Sequence, residues 1–94
     1  MTTALVTGAS SGIGAAIAIA FAESGWSVMA AGRDEGRLEE VADVSEDIAI
    51  WAGDLGGSED CEELVSDTVE EFGGIHILVN NAGYHARGDV ANVD

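Results

Sequence analysis

The sequence predicts an α/β fold, a Rossmann-type or doubly wound parallel sheet, partial in extent, with four strands and three helices. Three observations carry this. Short runs rich in Val, Ile and Ala, apolar on both faces, recur at residues 4–7, 27–31, 48–52 and 75–79, as strands covered on both sides require. Segments of helical period separate them, which implies crossover connections and parallel pairing. A turn with three glycines, Thr7-Gly8-Ala9-Ser10-Ser11-Gly12-Ile13-Gly14, joins the first strand to the first helix.

Each element follows from local chemistry. After the first strand, Gly8 permits a turn at positive φ, Gly12 lets a bound group approach the backbone without a Cβ in the way, and Gly14 allows the helix to pack close against the strand. The first helix is expected over residues 13–24, with Ile13, Ile17, Ala20 and Phe21 as its apolar stripe and Gly25 beyond its end. A second, shorter helix is expected over residues 34–43, edged by Leu38, Val41 and Ala42. In the third, Cys61, Leu64, Val65, Thr68, Val69 and Phe72 recur at helical spacing. Ser58 is placed to cap it, Glu59 and Asp60 suit the positive end of its dipole, and Gly73-Gly74 stops it. Right-handed crossovers then order the strands 3-2-1-4. The fourth strand becomes an edge that is apolar on both sides, an interface or an aggregation liability.

The 94 residues are expected to form one small domain, residues 1–94. Its 47% apolar content argues against intrinsic disorder. No apolar run approaches the ~18 residues of a membrane span, and no basic segment precedes the first apolar stretch as in a signal peptide. The single cysteine, Cys61, cannot form an intrachain disulfide and suits a reducing compartment, so a cytoplasmic location is expected. Eighteen acidic residues stand against three arginines and no lysine, a formal charge of −15. Binding to nucleic acid through phosphate neutralisation is excluded by that balance. The acids lie mostly between apolar positions of helical period and so read as a solvated face. Carboxylates in such excess, with lysine absent, also resemble the proteins of extreme halophiles.

The turn Thr7 to Gly14 has the spacing TGxxxGIG, and Asn80-Asn81-Ala82-Gly83 follows the fourth strand. In register along essentially the whole chain, the two motifs resemble the short-chain dehydrogenase/reductase family. The resemblance implies a nicotinamide dinucleotide cofactor and interconversion of an alcohol and a carbonyl by hydride transfer. It assigns Gly8, Ser10, Ser11, Gly12, Ile13 and Gly14 to the pyrophosphate turn. It assigns Thr7 to a side-chain tie between the first strand and the Asn-Ala-Gly turn. Asp54 and Leu55 match the pair that receives the adenine, with a turn-forming role for Asp54 as the competing reading. Asn81, Ala82 and Gly83 would line the adenosine side, while Asn80 would stabilise the sheet. Tyr84, His85 and Arg87 lie just beyond, and no catalytic role is assigned to them. His76 reads as a hydrogen-bonded structural residue.

Cofactor choice turns on the end of the second strand. NAD-preferring relatives carry an acid at the position matched by Gly32, and Arg33 follows it. An arginine grips a phosphate with two parallel bonds, so NADP(H) is expected over NAD(H). Against this, Asp34 is adjacent, and Ser11 stands where many NADP-using relatives carry a second basic residue. The competing reading makes Asp34 a helix cap and Arg33 a surface charge. Family catalysis needs a tyrosine with a lysine four residues later, but Gly88 follows Tyr84 at that spacing and the chain has no lysine. The chain therefore reads as the cofactor-binding, amino-terminal part of a larger reductase, inactive alone. The small alcohol or carbonyl substrate would be met only by a complete protein. A non-catalytic dinucleotide-binding module, or an inactive fragment, pairing with another chain or as a homo-oligomer through the fourth strand, is the alternative.

If the acidity is an adaptation to salt, the melting temperature followed by circular dichroism rises between dilute buffer and about 1 M salt, where the screening length shrinks to about 3 Å. An unchanged or falling melting temperature rejects the idea.

Overall fold

The computed structural model describes residues 2–81. Seven elements alternate as β1 (Thr3–Thr7), α1 (Gly12–Glu23), β2 (Ser27–Gly32), α2 (Glu35–Ala42), β3 (Ile48–Ala52), α3 (Ser58–Phe72) and β4 (Ile77–Asn80). The strands form one parallel sheet in the expected order β3-β2-β1-β4. Side chains alternate between its faces. Val6 pairs with Ala30 and Val79, and Ala30 with Ile50. This row meets α1 and α2 in a core that includes Ala18, Ala22, Leu38 and Val41. Leu5 pairs with Met29 and Leu78, and that row faces α3 through Leu64.

The buried face of α1 differs from the expected stripe. Gly14, Ala18 and Ala22 are buried, whereas Ile13 is 70% exposed. Ala20 is exposed, and Ile17 and Phe21 are only half-buried. A helix rich in alanine is apolar nearly all round, so size decides which face turns inward. The small residues let α1 approach the sheet closely, and the larger ones pack along its flanks. Phe21 meets Trp26 there, with ring centroids 4.8 Å apart. Gly25, at φ 94°, follows the last turn as expected.

The burial of α3 is also narrower than its pattern. Leu64 and Thr68 are buried and Phe72 half-buried, while Val65 and Val69 are 45% and 43% exposed and Cys61 is exposed. α3 is the only helix on its face of the sheet among the described residues, so nothing there meets the flank of its stripe. Its N-cap is Gly57, without a side-chain bond, and Ser58 is already helical. Gly73 closes the helix in the left-handed conformation. Trp51 Nε1 donates to Asp67 Oδ2 at 3.1 Å, fastening β3 to α3.

β4 begins two residues later than the apolar run, and His76 explains the offset. Its amide donates to the Thr3 carbonyl at 2.9 Å, while its ring Nδ1 accepts from the Thr3 amide at 3.0 Å. The imidazole thus replaces a strand carbonyl at the start of the β1–β4 ladder. This agrees with its expected structural role. On β4 itself Leu78 is 54% exposed, as expected of an apolar edge.

Leu38 is fully buried between α2 and the sheet. Leu38→Ala is expected to lower unfolding free energy by about 2–5 kcal/mol in urea titration. Leu78→Ala, already half in solvent, is expected to change it by less than about 1 kcal/mol.

Candidate functional site

The carboxyl ends of all four strands open on one edge of the sheet, and β1 and β4 lie side by side where the strand order reverses. In open α/β sheets ligands bind at that crevice. The turn after β1 is built around one atom, the Gly8 carbonyl oxygen. Gly8 turns the chain at φ 65°, a conformation costly for residues bearing Cβ. Its carbonyl accepts from the Ser11 amide at 3.1 Å, from Ser11 Oγ at 2.8 Å and from Asn81 Nδ2 at 3.3 Å.

Gly14 lies against the same carbonyl. A Cβ there would collide with the Gly8 oxygen and stand 2.7 Å from its carbon and 2.9 Å from Ala9 Cα. The close approach allowed by Gly14 is therefore between helix and turn rather than helix and strand. Gly12 differs, since a Cβ there would meet nothing within 4 Å. It faces open space at the start of α1.

Ser11 is the N-cap of α1. Its Oγ accepts from the Gly14 amide at 3.2 Å and from Asn81 Nδ2 at 3.2 Å, and donates to Gly8. These bonds use the hydroxyl's one proton and two lone pairs. Ser11 thus holds the turn's shape. The amides of Gly12 and Ile13 lead the helix and have no intrahelical partner. The positive end of the helix dipole lies at the same place.

The second motif is tied to the first by side chains. Thr7 Oγ1 donates to Asn80 Oδ1 at 3.0 Å and accepts from the Asn81 amide at 3.0 Å. This is the tie expected of Thr7. Asn81 then reaches both Gly8 and Ser11, a link between residues 70 positions apart that neither motif announces. Ala82, Gly83, Tyr84, His85 and Arg87 lie outside the described residues.

Beyond β2 the chain passes through Gly32, Arg33 and Asp34. Gly32 is buried, and a Cβ there would come within 2.7 Å of Ser10 Oγ. The serine thus fills the space where a side chain at residue 32 would start. Asp34 caps α2, its Oδ1 accepting from the Arg37 amide at 3.2 Å, while Arg33 is exposed. Asp54 is exposed after β3, and Leu55 is half-buried against the α3-side core.

Arg37 was not among the sequence-predicted site residues. Its Nη1 donates to the Ser10 carbonyl at 3.1 Å, so α2 reaches back to the glycine turn. The signal was available: side chains lean toward their helix's amino end, and Arg37 sits in the first turn of α2.

A model of the short chain dehydrogenase family matches residues 2–94. The chain belongs to that family. An uncharacterised oxidoreductase of Staphylococcus saprophyticus is 49% identical over 85 residues, covering 85% of this chain and 36% of that protein. A variant actinorhodin polyketide ketoreductase with NADPH superposes with TM-score 0.80 at 36% identity, covering 88% of this chain and 33% of that one. The 3-ketoacyl-(acyl-carrier-protein) reductase of Brucella melitensis, complexed with NADH, gives 0.78 at 33% identity, covering 82% and 32%. The chain spans about a third of the length of the curated relatives it matches. Among the described residues no helix is long and apolar enough to cross a membrane.

Gly14→Ala is expected to destabilise the family's glycine turn by about 1–3 kcal/mol or more, because backbone atoms rather than a mobile side chain occupy the space. Ser11→Ala removes the cap and is expected to cost about 0.5–2 kcal/mol. Chemical denaturation measures both, and a neutral Gly14→Ala would show that the turn and α1 can separate freely.

Proposed function

We propose that this chain supplies the nicotinamide-dinucleotide-binding part, residues 1–94, of an oxidoreductase that interconverts an alcohol and a carbonyl. The observation that carries the reading is the β1–α1 turn. It combines a glycine at positive φ, open space at Gly12 and leading amides without intrahelical partners at the positive end of α1. That is the donor set a pyrophosphate needs. The bound dinucleotide would supply hydride transfer. The chain's own residues hold it.

In this reading Gly8, Ser10, Gly12, Ile13 and Gly14 form the pyrophosphate cradle through backbone groups. Ser11 and Asn81 keep it open by the bonds described above, and Ala82 and Gly83 complete the second motif. Asp54 and the Leu55 amide receive the adenine from the end of β3. Proton transfer to a substrate is assigned to residues outside this chain's 94, which contain no lysine to accompany a tyrosine. The apolar edge of β4 and the flank of α3 that no described residue covers support pairing with further polypeptide on that side.

NADP(H) is preferred over NAD(H) in this proposal. Gly32 carries no carboxylate to repel a 2′-phosphate, and Ser10 occupies the space an acid would enter. Asp34 faces its own helix amide as a cap, and exposed Arg33 remains to pair with the phosphate. The role of Asp34 as a cap is therefore compatible with phosphate recognition by Arg33.

Isothermal titration of the chain in molar salt with NADPH and NADH tests the proposal. NADPH is expected to bind more tightly, and Arg33→Glu to weaken it by roughly tenfold or more while affecting NADH less. Absence of binding by either nucleotide rejects the cofactor reading. Equal affinities reject only the preference.

A further inference from the structure

We infer that Arg37 is a second determinant of 2′-phosphate recognition, acting with Arg33 across Ser10. The inference rests on the cofactor reading above and extends it to a residue on a different element. Arg33 and Arg37 are the only Lys or Arg among the described residues of a chain with eighteen acids. Both stand where β2 gives way to α2, beside the glycine turn. In a strongly acidic molecule these two cations are the positive charge available among the described residues for an anionic ligand, with Asp34 held as a helix cap and Glu40 lining the same cleft.

Ser10 sets the geometry of Arg37. Its carbonyl accepts Arg37 Nη1 at 3.1 Å, while its Oγ lies 2.7 Å from where a Cβ of Gly32 would stand. Arg37 is therefore one residue's width from the end of β2, the place where dinucleotide folds hold the 2′ position of the ribose. A single bond to Ser10 leaves the other donors of the guanidinium fork for a phosphate. A cleft of about 220 Å³ between α1 and α2, lined by Ser10, Ser11, Gly12, Arg37 and Glu40 among others, gives room beside it. Ser11 cannot supply a cation here and its hydroxyl is fully engaged, so α2 provides the charge that the glycine turn lacks.

Titration calorimetry with adenosine 2′,5′-bisphosphate and adenosine 5′-monophosphate isolates the 2′ group without any reaction. The unaltered chain is expected to prefer the bisphosphate. Arg37→Met should weaken the bisphosphate about tenfold or more and the monophosphate less than about threefold. Arg37→Gln keeps a donor for the Ser10 carbonyl and removes the charge, so its selective loss supports the assignment even if Arg37→Met fails to fold. Equal losses for both ligands, or none for either, overturn it and leave Arg37 as a brace of the turn. If the unaltered chain binds neither nucleotide, the cofactor reading fails and this assignment fails with it.

Discussion

The Gly8 carbonyl is the constraint on which the rest of the site depends. Three donors converge on it, two from Ser11 and one from Asn81, and Gly14 packs so close that no side chain fits between. A carbonyl held on that many sides fixes the peptide plane that ends β1. That plane in turn fixes where α1 starts and which way its leading amides point. Gly8 needs positive φ to put the carbonyl there, and Gly14 needs to be bare to let the helix approach it. The small stripe Gly14, Ala18 and Ala22 continues the same demand along α1, since a helix anchored so close to the turn cannot carry bulk on its inner face.

The two motifs make one structure because Thr7 and Asn81 each bond across the β1–β4 pair. Hydroxyl and amide side chains at adjoining strand ends satisfy backbone groups that the sheet no longer pairs, which rigidifies the crevice before any ligand arrives. Electrostatics adds a second layer. The acids lie largely on the helices, and the two described arginines stand beyond the end of β2, Arg33 before α2 and Arg37 in its first turn.

The two faces of the sheet are unequally covered. α1 and α2 close one face around Val6, Ala30 and Leu38, while among the described residues α3 alone meets the other through Leu64. Val65, Val69 and Leu78 remain in solvent because no neighbour among the described residues reaches them. Their apolar character makes this the side on which additional polypeptide would be most strongly stabilised.

Alternation of apolar runs with helical patterns, and a glycine turn after the first, were enough to determine the element order, the parallel sheet and the strand order. Those features follow from local burial and chain handedness, which sequence pattern carries directly. Helix faces were read less well. Ile13 and Ala20 looked like core, and Ser58 like a cap, because periodicity shows that a face is apolar without showing what covers it. The glycine positions were legible since backbone conformation is local, whereas the Thr7 tie, between residues 73 and 74 positions apart, was expected only through the family resemblance. Only tertiary structure decided that Asn81 would grip Gly8 and Ser11, that Ser10 would fill the space beside Gly32, and that Arg37 would reach the glycine turn. Each of these contacts joins residues from different elements. Their partners are chosen by distance in the folded chain, a quantity that sequence spacing does not contain.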